Sequence, residues 1–432
     1  MNGLVAFLRS IGPAIIVAAV VCGPGSMLMS SKTGAIYGYS MIWLVLMAAT
    51  LMWSMVALSA RLGVVLERTP LGELAERLGR PVAALVGTIL FLVVVGFQVS
   101  NNIAIVAAVE PFLPAQVSAA GPGGLGTPLT ILTVLNLFVL AVLYRFSNLY
   151  RPIERLLKDI VLVVISAFTI NLFLAGPDPL AMLAGLVPTP PPGGFAAMLE
   201  PRADPNVTVL QALVATTFSV AGAFFQAYSV RARGWQLADA RQGMIDSLVG
   251  ATVLAGVSVI LMSTAAAALH RAGVASGELA TIGDVARQLE PLFGRYATLV
   301  FSTGVFAGGF GAFLVNALIG GNMLADGFGR GATMNDIGTK HATAAALLIA
   351  MAIAVGCLVA GVKPVAAITV AQASTVVGLP ALALALLYLA TRPDLTGPRR
   401  IPWWMLVAAC MGLAITLFLT ARTFMQLKVV FS

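Results

Sequence analysis

Charge is scarce in this chain: 10% of its 432 residues are Asp, Glu, Lys or Arg, where a soluble domain carries about a quarter. So little polar surface cannot coat a water-soluble fold. Histidine is rarer still, with only His270 and His341, and both fall at the ends of apolar runs. No nucleophile–base–acid set can be assembled around them, which argues against an enzyme. The three cysteines, Cys22, Cys357 and Cys410, sit singly in apolar stretches. They offer neither a disulfide framework nor a metal-ligand spacing such as CxxC, and no cofactor is implied. The net charge of +8 is spread over short segments between apolar runs. That distribution implies no nucleic-acid partner, and no obligate protein partner is evident.

What the chain has in abundance is apolar sequence, at 59% of residues. Runs of 18 or more apolar residues recur, each long enough to cross a hydrocarbon layer about 30 Å thick. The lipid bilayer is therefore the partner of the whole chain, an all-α integral membrane protein. Eleven spans are expected, at 12–38, 41–62, 82–109, 128–146, 152–175, 208–232, 241–269, 293–320, 341–361, 364–390 and 402–425. They are numbered 1 to 11 below. The N-terminus runs directly into span 1 without a cleavable signal. Most Lys and Arg fall on one side, in groups such as Arg61 to Arg80, Arg145 to Lys158, Arg231 to Arg241 and Arg392 to Arg400. The positive-inside rule then places the N-terminus in the cytoplasm and the C-terminus outside a plasma (inner) membrane. The stretch from Gly176 to Asn206, rich in Pro and Gly, reads as an ordered or partly helical outer loop.

Span 1 is interrupted at Cys22-Gly23-Pro24-Gly25-Ser26. Proline lacks an N–H and clashes with the preceding turn, and the flanking glycines permit non-helical backbone. Ser26 is placed to cap the second half-helix. Non-helical backbone inside a bilayer is tolerated where it lines a cavity or is buried in protein. Span 6 carries a second glycine break at Ala221-Gly222-Ala223. Interrupted helices at matching positions of two five-helix halves point to an inverted-repeat transporter and its binding site. The expected repeats are 12–175 and 208–390, with an additional helix at 402–425.

Polar residues near the breaks are mostly neutral: Ser26, Ser30, Ser31 and Thr33 in span 1, and Gln98, Ser100, Asn101 and Asn102 in span 3. Thr216, Thr217, Ser219, Gln226 and Tyr228 follow in span 6, Asn316 in span 8, and Gln372, Ser374 and Thr375 in span 10. No Asp or Glu lies near the middle of any span. Asp159 and Asp246 fall near inner ends, where pairing with Lys158 or Arg241 accounts for them. Lys32 is the one cation expected inside a span away from its end. It reads equally as a functional charge or as a side chain reaching the outer interface.

Ile11-Gly12-Pro13-Ala14, the Gly-Pro-Gly break and Gly34-Ala35-Ile36-Tyr37-Gly38-Tyr39-Ser40 resemble the first helix of the Nramp (natural resistance-associated macrophage protein) divalent-metal transporters. The resemblance continues through Leu58 to Gly63, Ile153-Glu154-Arg155 to Pro177, Ile245-Asp246-Ser247 and Ala371-Gln372 to Pro380. It implies a leucine-transporter-like 5+5 inverted repeat with unwound first and sixth helices. It also implies divalent-metal transport. The family's Asp-Pro-Gly-Asn pattern in span 1 is replaced here, with Gly23 and Ser26 at its metal-binding positions. Its Met-Pro-His of span 6 aligns with Ala221-Gly222-Ala223, and its acidic pair in span 3 with the amides of Gln98 to Asn102. The site-lining glutamine of span 10 is kept as Gln372. Phe224 to Arg231 resembles a divergent Nramp-related branch near magnesium-transporting members.

The expected substrate site is thus Gly23, Ser26, Ala221, Gly222 and Gln372, with Lys32, Gln98, Asn101, Asn102 and Gln226 as accessory or gating residues. The metal is unspecified. Loss of the thioether removes the ligand that favours soft metals, and loss of the carboxylates removes the usual counter-charge and proton carriers. Three readings stay open. The first is a carrier of a largely hydrated, magnesium-like or manganese-like cation. The second is a carrier of a small anion or polar neutral solute held at half-helix N-termini. The third is a non-transporting sensor.

Overall fold

A computed structural model of the chain describes residues 23–113, 126–145, 165–191, 194, 205–333 and 335–430. Among them the secondary structure is helical, without strands. Nine helical stretches are long and apolar enough to cross a membrane, and they match spans 2–4 and 6–11. Span 1 is described from Gly23, as helix Pro24–Tyr37. Span 5 is described from residue 165, as the apolar segment Ile165–Leu174. The first half of span 1, with Cys22, and Lys158 and Asp159 of span 5 lie outside the described residues.

Helices are the natural outcome, because in hydrocarbon each backbone N–H and C=O must find its partner within the chain. They pack closely where a side chain is missing. A Cβ on Gly34 of span 1 would lie 2.0 Å from the Met262 carbonyl of span 7, so only glycine admits this contact. Span 8 (Ala297–Gly327) lies along span 3 (Arg80–Val109) and span 9 (Ile337–Val359). Span 2 (Ile42–Val65) packs on span 7 (Ala240–Ala265) and on the second half of span 6.

Two spans divide, and the described part of span 1 begins with a helix start. In span 1, Gly23 caps the helix with extended backbone (φ −67°, ψ −179°), and Pro24 takes the first turn, where its missing N–H costs nothing. Span 6 divides into Pro205–Thr217 and Val220–Ala232. Span 10 divides into Pro364–Ser374 and Leu379–Ala390 around a tight turn, Thr375–Gly378. The break in span 6 lies at Phe218-Ser219 rather than at Ala221-Gly222-Ala223, which are helical. Its determinant is Ser219, whose Oγ accepts from the Gly222 N–H at 3.3 Å. The expected cap at Ser26 is likewise corrected. Gly23 holds that position, and its carbonyl accepts from the Met27 N–H at 3.1 Å.

The Arg-rich end of the bundle is tied by ion pairs. The connecting helix Pro70–Leu78 buries Glu73, which accepts from Arg392 Nη1 at 2.7 Å and from the backbone N–H groups of Glu67 and Arg68 at 3.1 Å each. Span 8 runs past its expected limit of 320 to Gly327 and carries Asp326 inward. There Asp326 accepts from the Tyr228 hydroxyl at 2.5 Å. At the opposite end, the described part of the long loop forms a short helix, Pro179–Ala184. Asp178 caps it by accepting from Leu180 and Ala181.

Candidate functional site

The helix start of span 1 and the breaks in spans 6 and 10 converge. Gly23, Gly25 and Ser26 of span 1, Phe97 and Asn101 of span 3, Thr216 and Ser219 of span 6, Asn316 of span 8 and Gln372 of span 10 line one cavity of about 30 Å³. A water molecule needs roughly 10–15 Å³ by this measure, so the cavity holds about two water-sized occupants.

Glycine at position 25 is what lets span 10 approach. A Cβ there would lie 2.1 Å from Gln372 Nε2 and 2.6 Å from its amide carbon. The Gln372 side chain is buried, and its Oε1 has no hydrogen-bond partner among the described residues. A buried acceptor oxygen left unpaired costs free energy unless a guest or water supplies the missing contact.

Asn101 is oriented from behind. Its Nδ2 donates to Gln98 Oε1 at 2.8 Å, while Gln98 Nε2 donates to the Phe313 carbonyl of span 8 at 2.8 Å. Asn101 keeps its Oδ1 and one N–H of Nδ2 outside this relay. Asn102 Nδ2 donates to the Gln98 carbonyl and its Oδ1 accepts from Asn136 of span 4. Gln98 and Asn102 therefore support the cavity wall without lining it.

Of the expected site residues, Gly23, Ser26 and Gln372 line the cavity, and Asn101 joins them from the accessory group. Ala221 and Gly222 are buried in the first turn after Ser219, and they do not line it. Gln226 is fully buried two turns further along span 6, with neither amide atom partnered. Lys32 is partly buried in span 1 and does not line the cavity. Thr216, Ser219 and Asn316 stood in the polar inventory without being chosen. A serine three residues before a glycine could have marked the cap in span 6. Phe97 carried no sequence signal.

A second intramembrane cation accompanies Lys32. Arg422 of span 11 is 1% exposed, and its Nη1 donates to Gln211 Oε1 at 2.7 Å. Gln211 Nε2 in turn donates to the Ala373 carbonyl of span 10 and to Thr423. The apparent position of Arg422 at a span end concealed it in the sequence.

No described residue lining the cavity bears a carboxylate, thiol or thioether. No group of three or more His, Cys, Asp or Glu is placed to hold a metal among the described residues. The cavity instead offers neutral oxygen atoms and the ends of interrupted helices.

Two interrupted membrane helices and the helix start at Gly23-Pro24 meet at one polar cavity, and they define the class: a broken-helix membrane transporter with the leucine-transporter-like 5+5 fold. The chain matches the family described as natural resistance-associated macrophage protein-like (Nramp) over residues 14–426. It belongs to that family. It is 26% identical over 331 residues to the divalent metal cation transporter MntH of Yersinia pestis, covering 75% of this chain and 74% of the relative. It is 27% identical over 324 residues to the MntH of Chromohalobacter salexigens, covering 73% and 70%. The fold is similar to that of the Eremococcus coleocola manganese transporter, solved with an aromatic bis-isothiourea compound. There the TM-score is 0.75 at 17% identity, with 96% of this chain and 86% of that chain covered. The chain is thus a membrane transporter and not an enzyme.

Proposed function

We propose that this chain carries a divalent metal cation by alternating access, and that its cavity suits a hard, partly hydrated cation such as magnesium. The observation that carries this reading is the neutral, oxygen-bearing lining, in which Ser26, Asn101, Thr216, Ser219, Asn316 and Gln372 each carry a side-chain oxygen. Acceptors attract a cation and repel an anion. The family and the curated metal-transporting relatives support the same cargo class. With neutral ligands, a dication keeps part of its water shell, as magnesium readily does. No soft ligand is offered by the described lining, so preference for manganese over magnesium has no physical source there. The spans read as two repeats, 12–175 and 208–390, followed by 402–425, with the N-terminus cytoplasmic and the C-terminus outside.

The described cavity wall holds no titratable side chain, so metal movement proceeds without a coupled proton through it. A second reading, transport of a small anion, rests on the N-terminal ends of the half-helices Pro24–Tyr37 and Val220–Ala232 beside the cavity. Their partial positive charge suits an anion, whereas the family and its curated metal-transporting relatives favour a cation.

The test is dye-reported entry of magnesium, calcium and manganese into proteoliposomes under an inside-negative potential. The cation reading expects saturable, protein-dependent entry of magnesium with no preference for manganese. Absence of any cation entry, together with thermal stabilisation by small carboxylates, would instead establish the anion reading.

A further inference from the structure

Away from the transport cavity, the Arg-rich end of the bundle contains a second pocket, of about 460 Å³. Gly63, Val64 and Leu66 at the end of span 2, Arg231 and Gly234 at the end of span 6, Trp235 and Gln236 beyond it, and Arg399 before span 11 line it. Its size falls within the roughly 300–1,000 Å³ typical of small-ligand sites. The transport cavity is smaller, and the two share no lining residue.

Both arginines are delivered by specific contacts. Arg231 reaches back to span 2, where its Nη1 donates to the Leu66 carbonyl at 2.7 Å and, at 3.5 Å, to that of Gly63. Its Nη2 donates to the Glu67 carbonyl at 2.8 Å. A guanidinium has five N–H donors. Three carbonyls use three of them, and two remain for a guest. Arg399 comes on a loop fastened by Arg61, whose Nη2 donates to the carbonyls of Pro398 at 2.9 Å and Arg400 at 2.8 Å. The one ion-pair partner of Arg399 among the described residues is Glu67, at 3.5 Å and largely exposed on both sides. Exposed pairs of this kind contribute little, so an anion of higher charge density displaces Glu67 readily. Trp235 is half-buried at the rim, the usual place for an aromatic ring at headgroup depth.

Planar guanidinium groups take phosphate oxygens in a bidentate fashion, and basic pockets between membrane helices hold phosphate headgroups. We propose that this pocket binds a phosphate group between Arg231 and Arg399, carried by an anionic lipid headgroup or by a small soluble phosphate. Because Arg231 already clasps the end of span 2 to the end of span 6, an occupant tightens that joint and stabilises the folded protein.

The experiment measures thermal unfolding of the full chain in neutral detergent. Inorganic phosphate or dioctanoyl phosphatidic acid is added, with sodium chloride at matched ionic strength as control. The expected result is a saturable rise in Tm beyond the chloride control. Arg399→Gln should raise the half-saturating concentration about tenfold, the equivalent of one charge-assisted contact. Glu67→Gln should lower it by removing the competitor, an opposite shift that mere destabilisation does not produce. A response to the lipid alone supports the site with a headgroup as its source, and a response to both supports recognition of phosphate itself. No response from wild type to either probe overturns the proposal, as does an equal response from Arg399→Gln. The readout is binding, so its failure leaves the cation reading of the transport cavity untouched.

Discussion

The transport cavity and the Arg-rich end of the bundle use polar chemistry in opposite ways. At the Arg-rich end, Glu73 is buried yet fully engaged by Arg392 and two backbone N–H groups, and Asp326 is engaged by Tyr228. In the cavity the described lining is neutral, and Gln372 Oε1 has no partner among the described residues. Charge therefore serves architecture, where its partners are permanent. The cavity is lined instead by neutral polar groups, among them Asn101, Asn316 and Gln372. A buried polar group without a partner destabilises the protein by itself, and in the cavity a guest can supply the contact.

This contrast makes the two regions respond differently to mutation. Glu73→Ala leaves two backbone donors unmet and Arg392 with Asp394 as its remaining partner, and should lower stability by about 3 kcal/mol, the lower end of the cost of breaking a buried pair. Denaturant unfolding of the purified protein measures it, and a loss under 1 kcal/mol, within the ~0–1 kcal/mol of an exposed pair, would erase the distinction. Gly25→Ala forces a Cβ into Gln372, so transport should fall below detection while the protein still folds, checked by flux and by size-exclusion chromatography together. Gln372→Met removes an acceptor that has no protein partner. Flux should fall about tenfold with Tm unchanged or raised, the reverse of the Glu73 result. The smallest effect concerns pH. Asp394, hydrogen-bonded by Arg392, and Asp336, hydrogen-bonded by the Thr333 and Ala332 N–H groups, are held below the usual carboxylate range. Their stabilisation is present above the unfolded value of about pH 4 and is lost as pH falls through the lower folded values. A thermal melt series should be flat from neutrality to about pH 5 on account of these two groups, and decline only below.

The sequence carried the fold further than the site. Apolar length located the spans, and Gly23-Pro24-Gly25 located the start of the helix in span 1 because proline and glycine alter the backbone directly. In span 6 the break is set three residues before the glycine by the hydroxyl of Ser219, and a capping serine looks like any other serine in an apolar run. In span 10 the turn at Thr375–Gly378 precedes Pro380, which begins the next half-helix and so appears as an ordinary first-turn proline. Asp326 escaped because helix 297–327 continues beyond its apolar stretch, held by a hydroxyl 98 residues away in the chain. Gln372 was legible through the family resemblance. That Asn101 rather than Gln98 faces the cavity depends on which amide the neighbouring span engages, a tertiary fact with no periodic trace.

The central claim is that neutral oxygen atoms, without a proton carrier, move a hard metal cation. Its most direct test is magnesium entry into proteoliposomes at a fixed inside-negative potential, with the internal pH recorded in the same vesicles. The account predicts saturable magnesium entry whose rate is the same with and without a pH gradient, and no internal acidification above that of protein-free vesicles. Magnesium-driven acidification, or the absence of magnesium entry altogether, would contradict it.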